Sequence, residues 1–327
     1  MASPERFRVL SWNVRYFSQA AGGLGSTRSS RHRIAAALAA LAPPPDIVCL
    51  QEIESRSLRS AVGRPPERGE GTQLEAFLGT LEERYRARGR RLPYDALYFP
   101  AHRYGILDAN LYTTGLAVLL RRRRLSVEGH NAAAPESITH YRLLGIPGAK
   151  QNRICAHVAV RTPRGRRFHV FNTHLSLPSP FAREFWEGEV RMGHGRNQVA
   201  EAGKLAAFVR ERAGGDPLLL CGDFNAPPGS PVYGFLTARA GFTGAQEALG
   251  RIDPRDPRGH PTAGFLALRM HLDHLFSAGP VRWIDLEGTH PHGSGPWRGL
   301  SDHSPLLGRF EVGQEGEAGA GGGKRRR

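Results

Sequence analysis

Leu218-Leu-Leu-Cys-Gly-Asp-Phe-Asn225 is the stretch that decides the reading of this chain. Four apolar residues, as in a strand covered on both faces, give way abruptly to a glycine, an acid and an amide. The same change recurs in Leu10-Ser-Trp-Asn13, Ile47-Val-Cys-Leu-Gln-Glu52, Val170-Phe-Asn-Thr-His174, Leu272-Asp273 and Leu300-Ser-Asp-His303. Carboxylates at the edge of a hydrophobic sheet cost free energy unless a partner or a metal neutralises them. Strands lying side by side would gather these ends around one cleft. That cleft would hold Glu52, Asp223, Asp273 and Asp302 with His174, His303, Asn13 and Asn225.

Outward from these ends, two kinds of segment alternate. β-type runs are expected at Phe7 to Val14, Ile47 to Gln51, Ala96 to Pro100, Gly115 to Leu120, Ile154 to Val160, Phe168 to Thr173, Leu218 to Gly222, His271 to Phe276 and Leu306 to Phe310. Helical spacing marks Arg31 to Leu41, Gln73 to Arg86 and Asn197 to Arg212. Leu74, Phe77, Leu78 and Leu81 form one apolar stripe, and Val199, Leu205, Phe208 and Val209 belong to another. This pattern describes a layered α/β domain. No long repeat recurs, and the Gly/Pro-rich stretches at Gly63 to Gly71, Pro178 to Pro180 and Asp253 to Gly264 read as surface loops. Residues 5–312 are therefore expected to form one domain, with 313–327 a disordered Gly-rich basic tail.

With 327 residues, 40% hydrophobic and 23% charged, the chain falls outside the disordered, collagen-like and disulfide-scaffold classes. Its net charge of +15 suggests an anionic partner. Arginine dominates, however: Lys150, Lys204 and Lys324 are the only lysines, which marks a compositional bias as much as a ligand signal. Cys49, Cys155 and Cys221 sit in apolar runs and read as reduced core thiols, pointing to a reducing compartment. No signal peptide and no apolar run of about 18 residues is visible, so a soluble, cytoplasmic protein is expected. No protein partner is inferred.

Taken one at a time, the polar ends have ordinary readings. Asn13 suits a turn cap, Glu52 a cap or an arginine partner, Asp273-His274 a strand-end turn, and His174 a partly buried imidazole. Together they favour oxygen ligation of a hard cation, Mg²⁺ or Mn²⁺, because no cysteines or close histidine pairs offer a zinc set. Two imidazoles and several amides remain to activate water and stabilise an anion. Metal-assisted hydrolysis of a phosphate ester uses all of these parts.

Ser11-Trp-Asn-Val14, Asp46-Ile-Val-Cys-Leu-Gln-Glu52, Asn172-Thr-His-Leu175, Gly222-Asp-Phe-Asn-Ala226, His271-Leu-Asp273 and Ser301-Asp-His303 resemble the endonuclease/exonuclease/phosphatase superfamily. The resemblance covers almost the whole domain. It implies the deoxyribonuclease-I-like fold: an α/β (α+β) protein, a four-layer α/β/β/α sandwich with two packed mixed β-sheets. Glu52 would ligate the metal, with Asn13 and Asp302. His303 would be the general base, held by Asp273. Asp223 and Asn225 would orient water and phosphate, Asp223 being also a candidate to protonate the leaving oxygen. His174 would donate to a phosphate oxygen. Arg153 would contact the phosphate, its alternative being an ordinary surface arginine.

The superfamily includes nucleases, phosphoinositide phosphatases, sphingomyelinases and other phosphodiesterases, and the core does not choose among them. The distinctive loop is Ser176 to Gly195, where Phe181, Phe185 and Trp186 accompany Arg183 and Arg191. Such aromatics could stack on bases, enter a lipid headgroup layer, or pack the loop onto the sandwich. Net charge and the basic tail favour nucleic acid as substrate, DNA or RNA, over a phospholipid headgroup. A sphingomyelinase-like or phosphoinositide-directed hydrolase is the second reading. A non-catalytic binding protein on the same fold is the third, which the retained base, orienting acid and metal ligand oppose.

Overall fold

A computed structural model of the chain describes residues 4–15, 23–57, 73–101, 104–106, 109–140, 152–178, 191–253, 255, 260–265 and 268–313. The aromatic residues Phe181, Phe185 and Trp186 and the tail beyond residue 313 lie outside the described residues, as does the Gly63 to Gly71 loop.

The first sheet is built from β1 (Glu5–Asn13), β2 (Ile47–Ser57), β3 (Tyr94–Pro100), β4 (Tyr104–Ile106), β5 (Ala109–Arg121), β15 (Val281–Asp285) and β16 (Leu306–Val312). Its order is β15-β16-β1-β2-β5-β3, with β4 beside β5. The second contains β6 (Ser126–His130), β7 (Glu136–Ser137), β8 (Ile154–Arg161), β9 (Arg167–His174), β10 (Leu218–Asp223), β11 (Thr243–Gly244) and β14 (Asp273–Ala278). It runs β11-β14-β10-β9-β8-β6, with β7 beside β8. A short ribbon pairs β12 (Ala263–Phe265) with β13 (Leu268–Met270). Both sheets are mixed: β1 runs parallel to β2 and β9 to β10, while the flanking pairs are antiparallel.

Side-chain alternation along the strands separates three apolar layers. Phe7, Val9, Ile47, Cys49 and Val118 face Val158, Val170, Leu219 and Cys221 between the sheets. The opposite faces of β1, β2 and β5 present Leu10, Trp12, Leu50 and Leu119 to α1 (Gly23–Ala40) and α2 (Gln73–Arg86), which supply Ile34, Leu38, Phe77 and Leu81. Behind the second sheet, Phe171, Leu218, Leu220 and Phe276 pack on Leu205, Phe208 and Val209 of α3 (Arg196–Ala213). This is the expected four-layer sandwich. Cys49, Cys155 and Cys221 are free and buried.

Differences from the sequence reading have physical causes. Helix α1 begins at Gly23 rather than near Arg31, because apolar periodicity starts only at Ile34. The edge strand β6 is largely exposed and carries no continuous apolar run to announce it. The stretch Asp253 to Gly264 is not wholly a surface loop: Thr262 and Ala263 are buried, and Ala263 opens β12.

Gly222 shows why a glycine precedes the acid in the deciding stretch. Its φ is +153°, and a Cβ there would lie 2.1 Å from the carbonyl oxygen of Thr173 on β9. Because β9 and β10 carry His174 and Asp223 at that same end, their close approach sets the site. Gly222→Ala is expected to cost about 2 kcal/mol or more of stability, read by chemical denaturation. A change below about 0.5 kcal/mol, the scale of ordinary surface substitutions, would show that the contact does not constrain the pair.

Candidate active site

Opposite strand directions bring the polar ends together. β1, β9 and β10 end at one edge of the sandwich beside Glu52 of β2, and β14 and the loop before β16 begin there because those strands run antiparallel to β10 and β1. In the second sheet the register sets His174 opposite Asp223 and Asp223 opposite Asp273, a single row across three strands. Asn13 and Glu52 face this row from the first sheet. The Asn13 amide Nδ2 donates to Glu52 Oε1 at 3.1 Å and to Asp223 Oδ2 at 3.0 Å, joining the two sheets.

Glu52 reaches the row through a β-bulge. Strict alternation would turn its carboxylate into the helix-side core, the place that Ile53 occupies instead. The β2–β5 register shifts between Leu50 and Ile53, and Glu52 takes φ 58°, which re-aims the side chain. Strand β2 thus continues to Ser57, where the sequence suggested an end at Glu52. Asn225, with φ 48°, and Arg15, with φ 42°, are also left-handed. Non-glycine residues in this region concentrate at functional sites.

His303 occupies the loop before β16 and is locked from several sides. Its Nδ1 lies 2.9 Å from Asp273 Oδ2, and its Nε2 lies 3.7 Å from Asp223 Oδ2. Trp12 Nε1 donates to the His303 carbonyl at 2.9 Å, and Ser301 Oγ donates to the Asn13 carbonyl at 2.9 Å. His174 Nε2 stands 3.5 Å from Asp223 Oδ2. Asn225 has a supporting place here: its backbone N–H donates to Asp223 Oδ1 at 2.9 Å and its Nδ2 to the Leu175 carbonyl at 2.9 Å. Arg153 is buried in a cleft with Glu52, Asn152, Ile154 and His174, so it is no ordinary surface arginine.

Asp302 has partners of its own. Arg15 donates to its Oδ2 at 2.6 Å, and Ser301 Oγ lies 3.3 Å from its Oδ1. Sequence reasoning passed over Arg15, one arginine among dozens. It also missed Thr262, placed in a presumed loop, and the buried amide pair behind the site. There Gln51 Nε2 donates to Asn172 Oδ1 at 2.8 Å, and Asn172 Nδ2 donates to the carbonyls of Leu50 and Ala117. Both amides stand inside quoted motifs, where their polarity between apolar neighbours was the available signal.

Burial governs the electrostatics, with neighbouring charges second. Burial raises the Glu52 carboxyl, with the Asn13 hydrogen bond pulling the other way. Burial also lifts Asp223 to about 7, against the pull of His303. For His303 burial opposes the charge, but Asp273 and Asp223 outweigh it and raise the imidazole to about 10. His174 is held well below its usual range by burial, then by Arg153 and His303, and is neutral.

The donor set fits a hard cation. Among the described residues, Asp223, Asp273 and His303 bring one ligand atom each within 4.8 Å of one another. Among the described residues Asp273 Oδ1 is buried without a hydrogen-bond partner, and a neutral amide donates to the Glu52 carboxylate. Asn13 turns its Nδ2 toward the acids, while its Oδ1 accepts from the Arg15 N–H at 3.0 Å.

A raised His303 pKa means that protonation stabilises the fold. The contribution is full below about pH 6.5, the value of an unfolded histidine, and is lost as pH rises through about 10. Asp273→Asn is expected to lower the His303 titration midpoint by at least about one unit in chelator-treated protein, followed by ring-proton NMR. The stability gap between wild type and variant should narrow toward alkaline pH. An unmoved midpoint would remove Asp273 as the partner.

Comparison with known proteins gives the family and the fold. Nocturnin of Drosophila melanogaster is 27% identical over 192 residues, 58% of this chain and 23% of that protein. YbhP of Escherichia coli K12 is 30% identical over 194 residues, 57% of this chain and 64% of that protein. The matches thus span less than two thirds of either relative's length. The human Nocturnin catalytic domain, solved with bound sulfate, superposes with a TM-score of 0.58 at 21% identity, covering 94% of this chain and 97% of that one. Danio rerio TDP2, solved with a single-strand DNA product, gives 0.55 at 17% identity, covering 93% and 98%. The model of the Endonuclease/Exonuclease/phosphatase family matches residues 10–303, and the chain belongs to that family of phosphoester hydrolases.

Proposed function

We propose that this chain is a Mg²⁺-dependent phosphodiesterase acting on DNA or RNA, with His303 as the base that activates water. The observation that carries the reading is the row His174, Asp223, Asp273 closed by the Asp273–His303 bond of 2.9 Å. A base must be held toward its target and in one tautomer, and a buried carboxylate on Nδ1 does both. His303 Nε2 is the atom left to take a proton, and it faces Asp223, which orients the water. His174 is neutral, and the one ring N–H that it keeps can donate to a phosphate oxygen. Asp223, raised to about 7, can itself carry a proton to a leaving oxygen. Arg153 supplies a fixed charge to the phosphate from the cleft beside Glu52.

Glu52 and Asp302 would hold the ion, Mn²⁺ being an alternative occupant, and Asn13 would join them through Oδ1 once its amide, which here turns Nδ2 to the acids, rotates. When bound, a divalent cation supplies Lewis-acid polarisation of the phosphate and offsets the carboxylate charge that keeps His303 protonated. Arg15 then acts as a counter-charge for Asp302 and limits how much of that carboxylate faces the site. Nucleic acid is favoured as substrate by the chain's net charge of +15 and by the single-strand DNA product that the structurally similar TDP2 carries. The three free thiols are consistent with work in the cytoplasm.

A panel of nicked plasmid, single-stranded DNA, RNA, sphingomyelin and phosphoinositide, with and without chelator, tests the reading. Nucleic-acid cleavage abolished by chelator and restored by Mg²⁺ is expected, and His303→Ala should lower kcat by about 10² to 10⁴. Turnover of lipid with inert nucleic acid would overturn the substrate, and full activity in His303→Ala would overturn the base.

A further inference from the structure

We propose that Thr262 is a positioning residue that sets the distance between Asp273 and His303. Its side chain and backbone bond both to the strand that carries the acid and to the loop that carries the imidazole. The hydroxyl Oγ1 accepts the backbone N–H groups of Leu272 and Asp273, each at 3.0 Å. Its own N–H donates to the Met270 carbonyl at 2.9 Å, and its carbonyl accepts from the Ser304 N–H at 2.7 Å. Next along the chain, Ala263 forms a β-bridge with His303, and the Gly264 N–H donates to the Asp302 carbonyl at 2.9 Å. Three consecutive residues therefore stitch the start of β14 to the segment Asp302 to Ser304.

The hydroxyl is needed for a reason that packing alone does not give. Asp273 is the first residue of β14, and the N–H groups of residues 272 and 273 are satisfied here by Thr262. Buried N–H groups require an acceptor, and a fully buried hydroxyl oxygen with two lone pairs takes both. Valine has the same shape and no acceptor. Without that oxygen two buried N–H groups at the start of β14 lose their acceptor, the backbone bonds to Thr262 and the ladder with β10 remain, and the restraint on the Asp273–His303 spacing weakens. Trp12 and Ser301 hold the loop only to β1, in the other sheet, so they cannot replace it.

The effect on catalysis rests on His303 being the base, so the experiment has arms that do not. Thr262→Val is expected to lower kcat about 10- to 100-fold with KM within about threefold, since displacement of about 1 Å costs on that order. Thr262→Ser keeps the oxygen and should stay within about threefold of wild type in kcat, a difference of less than about one logarithmic unit. The low-field NMR resonance of the His303 Nδ1 proton, recorded below the unfolding range of each protein, should shift or vanish in Thr262→Val and persist in Thr262→Ser. In wild type, the amides of Leu272 and Asp273 should exchange slowly with deuterium. A folded Thr262→Val with unchanged kcat and resonance would overturn the proposal, as would a serine variant as impaired as the valine one. If the valine variant does not fold, the serine variant and the wild-type exchange rates decide: rapid exchange at 272 and 273 overturns the assignment, and slow exchange with an intact serine variant supports it. Inactivity of wild type toward every phosphodiester would overturn the functional reading and leave the resonance and exchange arms standing.

Discussion

One amide holds a buried and a half-buried carboxylate together across the seam of the sandwich. Asn13 Nδ2 donates to Glu52 in its own sheet and to Asp223 in the other, so both acids are within reach of a single nitrogen. Burial is the main reason that both carboxyls are pushed upward, and neighbouring acids crowd them further, Asp302 at Glu52 and Asp273 at Asp223. The fold offsets the cost with the His303 imidazolium and with Arg153, both of which act on Glu52. The same crowding makes the site receptive to a cation. Stability and chemistry therefore draw on one electrostatic arrangement, and changes that relieve the crowding should trade one for the other.

That arrangement depends on where strands stop. The parallel pairs at the centres of the sheets deliver the carboxyl-terminal ends of β1, β9 and β10 and the bulge of β2 to one edge, and antiparallel neighbours return the starts of β14 and β16 to it. Register then does the rest: a one-residue slip of β10 against β9 would turn Asp223 away from His174. Two devices protect the register there. Gly222 lets the β9 and β10 backbones approach where any Cβ would collide with Thr173. The Gln51–Asn172 bond ties β2 to β9 immediately behind the site, with Ser11 Oγ on β1 accepting from the same Gln51 amide.

Much of this was legible in the sequence because the strands are buried on both faces. Continuous apolar runs marked the strands that carry Asn13, His174 and Asp223, and an abrupt acid or amide after each run marked the edge. The resemblance supplied the order of the motifs. What stayed hidden was whatever hydrophobicity does not encode. Glu52 looked like a strand terminus because a bulge does not show in composition, yet the ladder continues past it to Ser57. Arg15 was lost among the arginines, and only the fold shows its guanidinium on Asp302. Thr262 was hidden by a flanking run of glycine and proline, a composition that signals a loop but does not say whether the loop's end turns inward.

The two histidines of the site show how environment assigns roles to identical side chains. His174 is buried and His303 nearly so, and their Nε2 atoms stand 3.5 and 3.7 Å from the same Asp223 oxygen. Their titrations nevertheless part in opposite directions, His174 downward and His303 up to about 10. Burial pushes each one down, so the difference must come from the second neighbour. For His303 that neighbour is Asp273, bonded at 2.9 Å, and for His174 it is the positive charge of Arg153. One imidazole is thus kept neutral beside the phosphate cleft, and the other is strongly basic beside the acids. Separated titrations of this kind are the mark of divided acid and base work. The division survives only while Asp273 and His303 keep their spacing, which places the burden of the site on the short segment that joins their two strands.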